Sequence, residues 1–254
     1  MTVVVKLGGR VQAAPELASA VRALHSAERG LLCIVHGGGD EVTKLQRELG
    51  REPAFVGGRR VTTEEDIDLV RMVLSGSANK RLVSMLSASG LPAVGISGED
   101  GGLLPAEPID PVRLGRAGKP LVPDTRIITS LVEIGFLPVI SPVGIDVTTE
   151  LGGALNVNGD DAAGAIAAAL GAELWMIADV AGVLDGASAV IPGIDPRQTE
   201  ALVTTGVVNR GMQAKLEAGF AALNAGSPAV RIASLDAFTD DNAGTLLSLV
   251  PSMT

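Results

Sequence analysis

Glycine-rich turns follow the first two apolar runs of the sequence. Lys6-Leu-Gly-Gly9 comes directly after residues 3–5, and His36-Gly-Gly-Gly39 comes directly after residues 31–35. Glycines expose backbone N–H groups and a lysine adds a point charge, so these turns could hold phosphate oxygens. A helix expected from Asp40 would add the positive end of its dipole. Each turn alone could also be a plain connection, because glycine is the usual residue where φ is positive.

Neither turn has the spacing of the familiar nucleotide-binding motifs. The Walker pattern needs glycines followed by Lys-Ser/Thr, and the dinucleotide fingerprint needs Gly-x-Gly-x-x-Gly. Two glycine turns after successive strands nevertheless support each other, because open α/β sheets bind ligands at the carboxyl ends of their strands. His36 has no nucleophile to pair with, so we interpret it as structural.

Three further segments carry side chains that could act on an anion. Arg59 and Arg60 precede a predicted helix, where an arginine can hold a carboxylate with two parallel hydrogen bonds; the spacing does not decide between them. Residues 156–161, Asn-Val-Asn-Gly-Asp-Asp, lead into an alanine-rich helix. One residue suffices to cap a helix, so four polar side chains there suggest a functional role. Lys215 lies on the first turns of a helix that runs to Asn224, although a solvated lysine is the ordinary explanation.

Short apolar runs alternate with helical patterns along the chain. The predicted strands are residues 3–5, 31–35, 93–96, 137–141, 174–178 and 229–232. Helical spacing is found at residues 15–27, 64–87 and 160–170. This alternation predicts an α/β sheet with helices on both faces. Residues 103–122 are rich in proline and glycine, so we expect a hairpin or lid-like excursion there.

Composition argues against several other classes of protein. A chain of 254 residues with 46% hydrophobic and 19% charged residues suits a packed globular protein. A net charge of −9 with 2% aromatic residues argues against a nucleic-acid surface. Cys33 is the sole cysteine, so no disulfide or thiolate metal site can be built. No apolar run reaches about 18 residues, so we expect no membrane contact and a cytoplasmic location.

Taken in order, these motifs resemble the amino acid kinase family, most closely its N-acetyl-L-glutamate kinase branch. Further matching pieces are Gly76-Ser-Ala-Asn-Lys80, Gly95-Ile-Ser-Gly98, Gly135-Phe-Leu-Pro-Val-Ile140, Asp179-Val-Ala-Gly-Val-Leu184 and Gly211-Met-Gln-Ala-Lys215. The resemblance implies a three-layer αβα sandwich around a mainly parallel sheet of about eight strands. It also implies that ATP phosphorylates the side-chain carboxylate of N-acetyl-L-glutamate, in arginine biosynthesis, with Mg²⁺ bridging ATP oxygens.

The resemblance also implies roles for individual residues. Lys6 and Lys215 would contact the transferring phosphoryl group, and Asp160 would orient both lysines. Arg60 would hold the substrate α-carboxylate, and Asn156 would bind the acetylamino group. The glycines expected against substrate and phosphates are Gly8, Gly9, Gly37, Gly38 and Gly39. The residues expected around the nucleotide are Asp179, Val180, Ala181, Gly182, Val183, Leu184, Val207, Val208, Asn209, Gly211 and Met212. No residue is expected to hold a metal directly.

Two lobes and a dimer follow from the same resemblance. Residues 1–165 would bind the acyl amino acid and form a homodimer, and residues 166–254 would bind ATP. The helical stretch 64–88 is the expected dimer surface, with a core-facing helix as the plain alternative. The chain starts at its first strand, without the extra helix associated with arginine-inhibited hexamers, so we expect no inhibition by millimolar arginine. Asp161 departs from the threonine or glutamine that commonly follows the aspartate.

Two other functions remain open from the sequence. One is a kinase for carrier-protein-linked aminoadipate or glutamate in lysine-type biosynthesis. It would need a basic groove for an acidic carrier, and Arg113, Arg116 and Lys119 could supply one. The other is a binding or regulatory module that has lost catalysis. Retention of the two lysines and the aspartate of the implied site argues against that module.

Overall fold

The computed structural model of the protein describes residues 3–27 and 32–250. Its strands are β1 (Val3–Leu7), β2 (Leu32–His36), β3 (Phe55–Val56), β4 (Arg59–Arg60), β5 (Ala93–Ser97), β6 (Pro105–Pro108), β7 (Ala117–Pro120), β8 (Leu137–Ser141), β9 (Val143–Asp146), β10 (Ala154–Val157), β11 (Glu173–Ile177), β12 (Gly193–Ile194), β13 (Val230–Ala233) and β14 (Thr245–Leu247). Its α-helices are α1 (Leu17–Ser26), α2 (Gly39–Glu48), α3 (Glu64–Arg71), α4 (Asn79–Ala88), α5 (Arg126–Glu133), α6 (Gly159–Leu170), α7 (Pro196–Thr204) and α8 (Arg210–Asn224). Short 3₁₀ helices cover Arg10–Ala13, Asp100–Gly102 and Leu235–Phe238.

Eight strands form the central sheet, in the order β12-β14-β13-β11-β1-β2-β8-β5. All neighbouring strands run parallel except β13 and β14. The expected mainly parallel sheet of eight strands is therefore confirmed. The chain builds the β2 side of β1 first and then crosses to β11 on the other side. Ligands bind such sheets where the strand order reverses, which here is the carboxyl edge of β1 and β11.

Side chains of the central strands alternate between two apolar layers. In β1, Val4 packs in the same cluster as residues of α5, α6 and α8. Val3 and Val5 pack in the other cluster, with residues of α1 and α4. Because side chains of a strand alternate between its faces, this split places a helical layer on each side of the sheet. The predicted αβα sandwich is confirmed.

The strands and helices expected from periodicity are present, with small shifts at their ends. Residue 31, expected to begin the second strand, lies outside the described residues. The helical stretch expected at 64–87 is interrupted by a π-helical segment, Met72–Ala78, between α3 and α4. No helix in the described part of the chain is both long and apolar enough to cross a bilayer.

The excursion at residues 103–122 contains the expected hairpin, formed by β6 and β7. The hairpin also belongs to a closed four-stranded barrel in the order β10-β7-β6-β9, which the sequence did not predict. β10 lies parallel to β7, and β6 lies parallel to β9. These strands are four residues long, and the two pairings that close the barrel, β10 with β7 and β6 with β9, join strands that are distant in sequence, so hydrophobic periodicity does not predict them. Val143 and Ala154 of the barrel pack against α2, α3 and the π-helical segment.

Gly115 fixes the barrel against the loop before α3. Its φ is +60°, and a β carbon there would overlap the carbonyl oxygen of Thr62.

Replacing Gly115 with alanine should destabilise the fold more than the same change at a glycine in open space. Gly50 has a φ of +72° with nothing within 4 Å of a β carbon, so it provides a matched control. We expect Gly50→Ala to cost about 1 kcal/mol of unfolding free energy from backbone strain alone. Gly115→Ala should cost about 2 kcal/mol more, because the backbone must also move. Urea denaturation of both variants measures the difference, and equal losses would show that residue 115 is not packed against residue 62.

Candidate active site

Asp160 binds two lysines that are far apart in the sequence. Lys6 Nζ lies 2.7 Å from Asp160 Oδ1, and Lys215 Nζ lies 3.1 Å from Asp160 Oδ2. Lys6 lies in β1, Asp160 in the first turn of α6 and Lys215 in α8. The three side chains are 8%, 11% and 19% exposed. The structure therefore brings the two candidate lysines and the candidate aspartate into one buried cluster.

Burial and charge act in opposite directions on this cluster. Burial opposes ionisation of Asp160, but the charges of Lys6 and Lys215 outweigh it and lower the pKa of Asp160 to about 2. Burial and the neighbouring charge of Lys6 lower the pKa of Lys215, while Asp160 opposes that change. Two ammonium groups share one carboxylate, so one positive charge has no counter-ion within the cluster. An anionic ligand beside the lysines would raise the pKa of Lys215 again.

The start of α6 gives each polar residue a separate contact. Asn158 caps the helix, because its Oδ1 accepts from the N–H groups of Asp160 at 2.8 Å and Asp161 at 3.4 Å. Asp160 is therefore free to bind the lysines. Asp161 pairs with Arg59 at 2.7 Å. Asn156 Nδ2 donates to Thr62 Oγ1 at 2.9 Å. Capping thus explains only one of the four polar side chains.

Two cavities meet at Lys6. The first has a volume of about 280 Å³, and its lining includes Lys6, Gly9, Gly38, Arg60, Asn156 and Asp160. The second has a volume of about 200 Å³, and its lining includes Lys6, Gly8, Gly9, Asp40, Asp179 and Lys215. The unbalanced positive charge of the lysine cluster therefore lies where the two cavities join.

The two glycine turns lie side by side at the strand ends. Gly8 N–H donates to Ile177 O at 2.9 Å, and Gly37 N–H donates to Leu7 O at 3.0 Å. Gly37 and Gly39 line the first cavity together with Gly38. The structure therefore places the five candidate glycines around Lys6.

Arg60 is buried with neutral partners. It is 9% exposed. Its guanidinium donates to Gly39 O at 2.8 Å, to Thr43 Oγ1 at 2.7 Å and to Gln46 Oε1. Burial lowers the pKa of Arg60, and the charges of Asp66 and Asp40 oppose this change. Among the described residues Arg60 forms no ion pair, so its charge favours an anion in the first cavity.

Arg59 has a different environment from its neighbour. Successive residues of a strand point to opposite faces, and Arg59 points to α6, where it pairs with Asp161 at 2.7 Å. Its side chain is 36% exposed. Spacing left the two arginines undecided, and the family resemblance implied Arg60. Both arginines line the first cavity, but among the described residues only Arg59 has a carboxylate partner, so the charge of Arg60 is the one available to a ligand carboxylate.

The predicted nucleotide residues lie in the loop after β11 and around the start of α8. Asp179 lines the second cavity and pairs with Arg10 at 3.0 Å. Val183 is fully buried, and its N–H donates to Thr245 Oγ1 at 2.8 Å, so its side chain belongs to the core. Asn209 caps α8 by accepting from Met212 N–H at 2.9 Å. Contact between these segments and a nucleotide stays a prediction.

Several residues that hold the site were missed from the sequence. Thr43 and Gln46 bind Arg60, and Thr62 binds Asn156. Thr43 and Gln46 are three residues apart on α2, so they share a face that helical periodicity could have indicated. Thr62 carries no comparable signal. In the described ranges, no group of three or more His, Cys, Asp or Glu side chains is placed to hold a metal ion.

Known proteins share both the sequence and the fold. The amino acid kinase family matches residues 1–234. An acetylglutamate kinase of Geobacillus kaustophilus is 44% identical over 238 residues, which cover 92% of this chain and 90% of that protein. The crystal structure of a Streptococcus mutans protein aligns with a TM-score of 0.86 at 28% identity, covering 98% of this chain and 99% of that one. A carbamate kinase from Giardia shares the fold, with a TM-score of 0.72 at 16% identity over 97% of this chain and 98% of its own.

The family match covers most of the αβα sandwich and all three residues of the lysine cluster. The chain belongs to the amino acid kinase family. Within that family, the Geobacillus stearothermophilus relative, at 43% identity, is also named acetylglutamate kinase.

Removing the charge of Asp160 should destabilise the folded protein, by an amount that depends on pH. Asp160→Asn leaves two buried ammonium groups without a counter-charge, so we expect a loss of about 3 kcal/mol in unfolding free energy at neutral pH. The folded pKa of Asp160 is lowered, so its ionised form stabilises the fold above about pH 4, and this contribution is lost as pH falls toward about 2. The difference between wild type and variant should therefore shrink in acid. Urea denaturation between about pH 5 and about pH 3 measures that change.

Asp161→Asn is the matched control for this experiment. Asp161 is the next residue of α6, but its partner Arg59 is partly exposed. We expect a change below about 1 kcal/mol in this variant. A deficit in Asp160→Asn that stays constant as the pH falls would contradict the account of the cluster.

Proposed function

We propose that the protein transfers the γ-phosphoryl group of ATP to the side-chain carboxylate of N-acetyl-L-glutamate, a step of arginine biosynthesis. The observation that carries this proposal is the position of Lys6, Asp160 and Lys215 where the two cavities join. Acetylglutamate kinases 40–44% identical to this chain support N-acetyl-L-glutamate as the acceptor. The chain is an enzyme of the kinase class.

The chemistry suits a site made of cations and backbone donors. A carboxylate is ionised at neutral pH and needs no general base. Its oxygen forms a bond to the γ-phosphorus while the bond from that phosphorus to the oxygen shared with ADP breaks. The products are an acyl phosphate and ADP. Lys6 and Lys215 neutralise charge on the oxygens of the transferring group, and Asp160 holds both ammonium groups at one point.

Each cavity suits one substrate. Arg60 would hold the α-carboxylate of the acyl amino acid in the first cavity, and Asn156 would bind its acetylamino group. The phosphate groups of ATP would occupy the second cavity, beside Lys215. Mg²⁺ would supply further charge neutralisation on the oxygens of ATP. Asp40 and Asp179, which line that cavity, would accept hydrogen bonds from water molecules bound to the ion.

This division agrees with two lobes, residues 1–165 for the acyl amino acid and residues 166–254 for ATP. Among the lining residues named above, those of the first cavity all precede residue 161, whereas Asp179 and Lys215 complete the second. We also propose a cytoplasmic homodimer with the helical stretch 64–88 at its surface. Met72, which is 57% exposed on that stretch, offers an apolar contact.

The two other functions are less well supported. A carrier-linked substrate would need free basic residues on the excursion at 103–122. Arg116 instead pairs with Asp146 at 3.0 Å, and Lys119 lies 3.9 Å from Glu107. Of the three basic residues expected to form the groove, only Arg113 is exposed and without an ion pair among the described residues. An inactive binding module would not need two lysines on one carboxylate.

A hydroxylamine trap for acyl phosphate tests the proposed function. The protein is incubated with ATP, Mg²⁺ and either N-acetyl-L-glutamate, glutamate or aminoadipate. Turnover on N-acetyl-L-glutamate is the expected result. Activity that requires a carrier protein would support the lysine-type alternative, and ligand binding without turnover would support the inactive module.

In the same assay, loss of either lysine should remove most of the activity. We expect Lys6→Ala and Lys215→Ala each to lower kcat at least about 100-fold, because each removes a charge that stabilises the transition state. Lys44→Ala is the control, since Lys44 is 77% exposed on α2 and lies 3.8 Å from Glu48. Near-normal kcat in either cluster variant would remove that lysine from the mechanism.

The neighbouring arginines provide a second matched pair. Lysine keeps the charge but cannot form two parallel hydrogen bonds to a carboxylate. We therefore expect Arg60→Lys to raise KM for N-acetyl-L-glutamate at least about ten-fold. Arg59→Lys should change KM less than about three-fold, because Arg59 is occupied by Asp161. Steady-state kinetics of both variants decides, and the reverse ranking would show that Arg59 holds the substrate.

A further inference from the structure

The carbonyl group of Gly37, in the second glycine turn, is fixed by two side chains. Gln12 Nε2 donates to Gly37 O at 2.9 Å. His36 Nδ1 lies 2.8 Å from the same oxygen. Gln12 is 8% exposed, and its Oε1 is buried without a partner in the described residues. An unpaired buried oxygen lowers stability, so stability alone does not explain a glutamine here. The contact that Gln12 does make is its hydrogen bond to the Gly37 carbonyl.

Asn79 determines which nitrogen of His36 carries the proton. Asn79 Oδ1 accepts from Lys80 Nζ at 3.1 Å, and Asn79 Nδ2 lies 2.9 Å from Val139 O, which can only accept. This arrangement identifies the amide nitrogen. Asn79 Nδ2 lies 3.1 Å from His36 Nε2, so Nε2 must accept. The proton of the neutral ring is therefore on Nδ1, which donates to Gly37 O. Burial lowers the pKa of His36 to about 4, so the ring is neutral at neutral pH.

Because the peptide bond is planar, fixing the Gly37 carbonyl also fixes the direction of the Gly38 N–H. In the trans peptide between Gly37 and Gly38, the Gly38 N–H points opposite to the Gly37 carbonyl. Gly38 lines the first cavity together with Lys6. A β carbon built on Gly9 would lie 4.0 Å from the Gly38 nitrogen, so the two glycine turns approach each other there. Within the described residues, no main-chain or side-chain acceptor takes the Gly38 N–H.

We infer that Gln12 and His36 are positioning residues that hold the Gly37 carbonyl so that the Gly38 N–H points at an oxygen of the transferring phosphoryl group. This inference rests on the proposed function. Neither residue touches the substrate; both act through the peptide between Gly37 and Gly38. A backbone donor aimed at developing charge lowers the barrier without strengthening ground-state binding.

Kinetics of Gln12→Leu test the inference. Leucine has a similar size but cannot donate, so the Gly37 carbonyl keeps only the bond from His36. We expect kcat to fall about ten-fold, with KM for ATP and for N-acetyl-L-glutamate within about two-fold of wild type. Ser227→Ala is the control. Ser227 is 4% exposed and donates to Ala172 O at 2.8 Å. The Ser227→Ala variant therefore loses a buried hydrogen bond to a main-chain carbonyl, as Gln12→Leu does, but at a place away from the glycine turn. Its thermal midpoint should fall while kcat stays unchanged.

Which ring nitrogen of His36 carries the proton can be measured independently, without replacing this buried side chain. The chain has two histidines, and His25 is exposed on α1. Spectra of ¹⁵N-labelled protein, compared with His25→Gln, therefore assign the signals of His36. A proton on Nδ1 supports the inference, and a proton on Nε2 overturns it.

The outcomes separate the inference from the function on which it rests. If wild type phosphorylates N-acetyl-L-glutamate and Gln12→Leu has the same kcat, the positioning role is wrong and the proposed function stands. A rise in KM with kcat unchanged also overturns the positioning role, because it shows an effect on ground-state binding. If wild type does not phosphorylate N-acetyl-L-glutamate, the proposed function fails, and the inference fails with it.

Discussion

Two buried ammonium groups on one carboxylate are the interaction on which the rest of this structure depends. Lys6 and Lys215 both contact Asp160, and the three side chains are largely removed from water. Burying an ion is costly unless its charge is balanced, and here one positive charge lacks a counter-ion within the cluster. An anion at that point would complete the balance. The cluster is therefore less favourable for the empty protein than for a protein holding phosphate oxygens, as expected where function sets local structure.

The architecture explains how residues so distant in sequence meet. β1 lies between β11 and β2, so Lys6, near the carboxyl end of β1, lies where the strand order reverses. Close packing of α6 and α8 then brings Lys215 to Asp160. A β carbon on Gly164 of α6 would lie 3.2 Å from Ala222 of α8, so small residues permit that approach. Other elements line the first cavity, namely α2, the β3–β4 hairpin and the barrel.

Local patterns in the sequence encode some parts of the molecule. Apolar strands, helical periodicity and glycine turns predicted the sandwich and the edge of the sheet where the site lies. The barrel was missed because its strands are short and the two pairings that close it, β10 with β7 and β6 with β9, join strands that are distant in sequence. Spacing alone could not decide between Arg59 and Arg60, for which the family resemblance implied Arg60, because the choice depends on contacts from α2 and α6. His36 was correctly interpreted as having no nucleophile, but its contacts with Asn79 and Gly37 arise only in three dimensions.

A crystal structure of the protein with ADP, Mg²⁺ and N-acetyl-L-glutamate would test the central claim most directly. The account predicts ADP in the cavity beside Asp179 and N-acetyl-L-glutamate in the cavity beside Arg60. It also predicts that Lys6 Nζ and Lys215 Nζ both lie within about 3.5 Å of oxygens that flank the path of the phosphoryl group. Substrates bound away from these two ammonium groups, or a nucleotide whose β-phosphate faces neither lysine, would contradict the account.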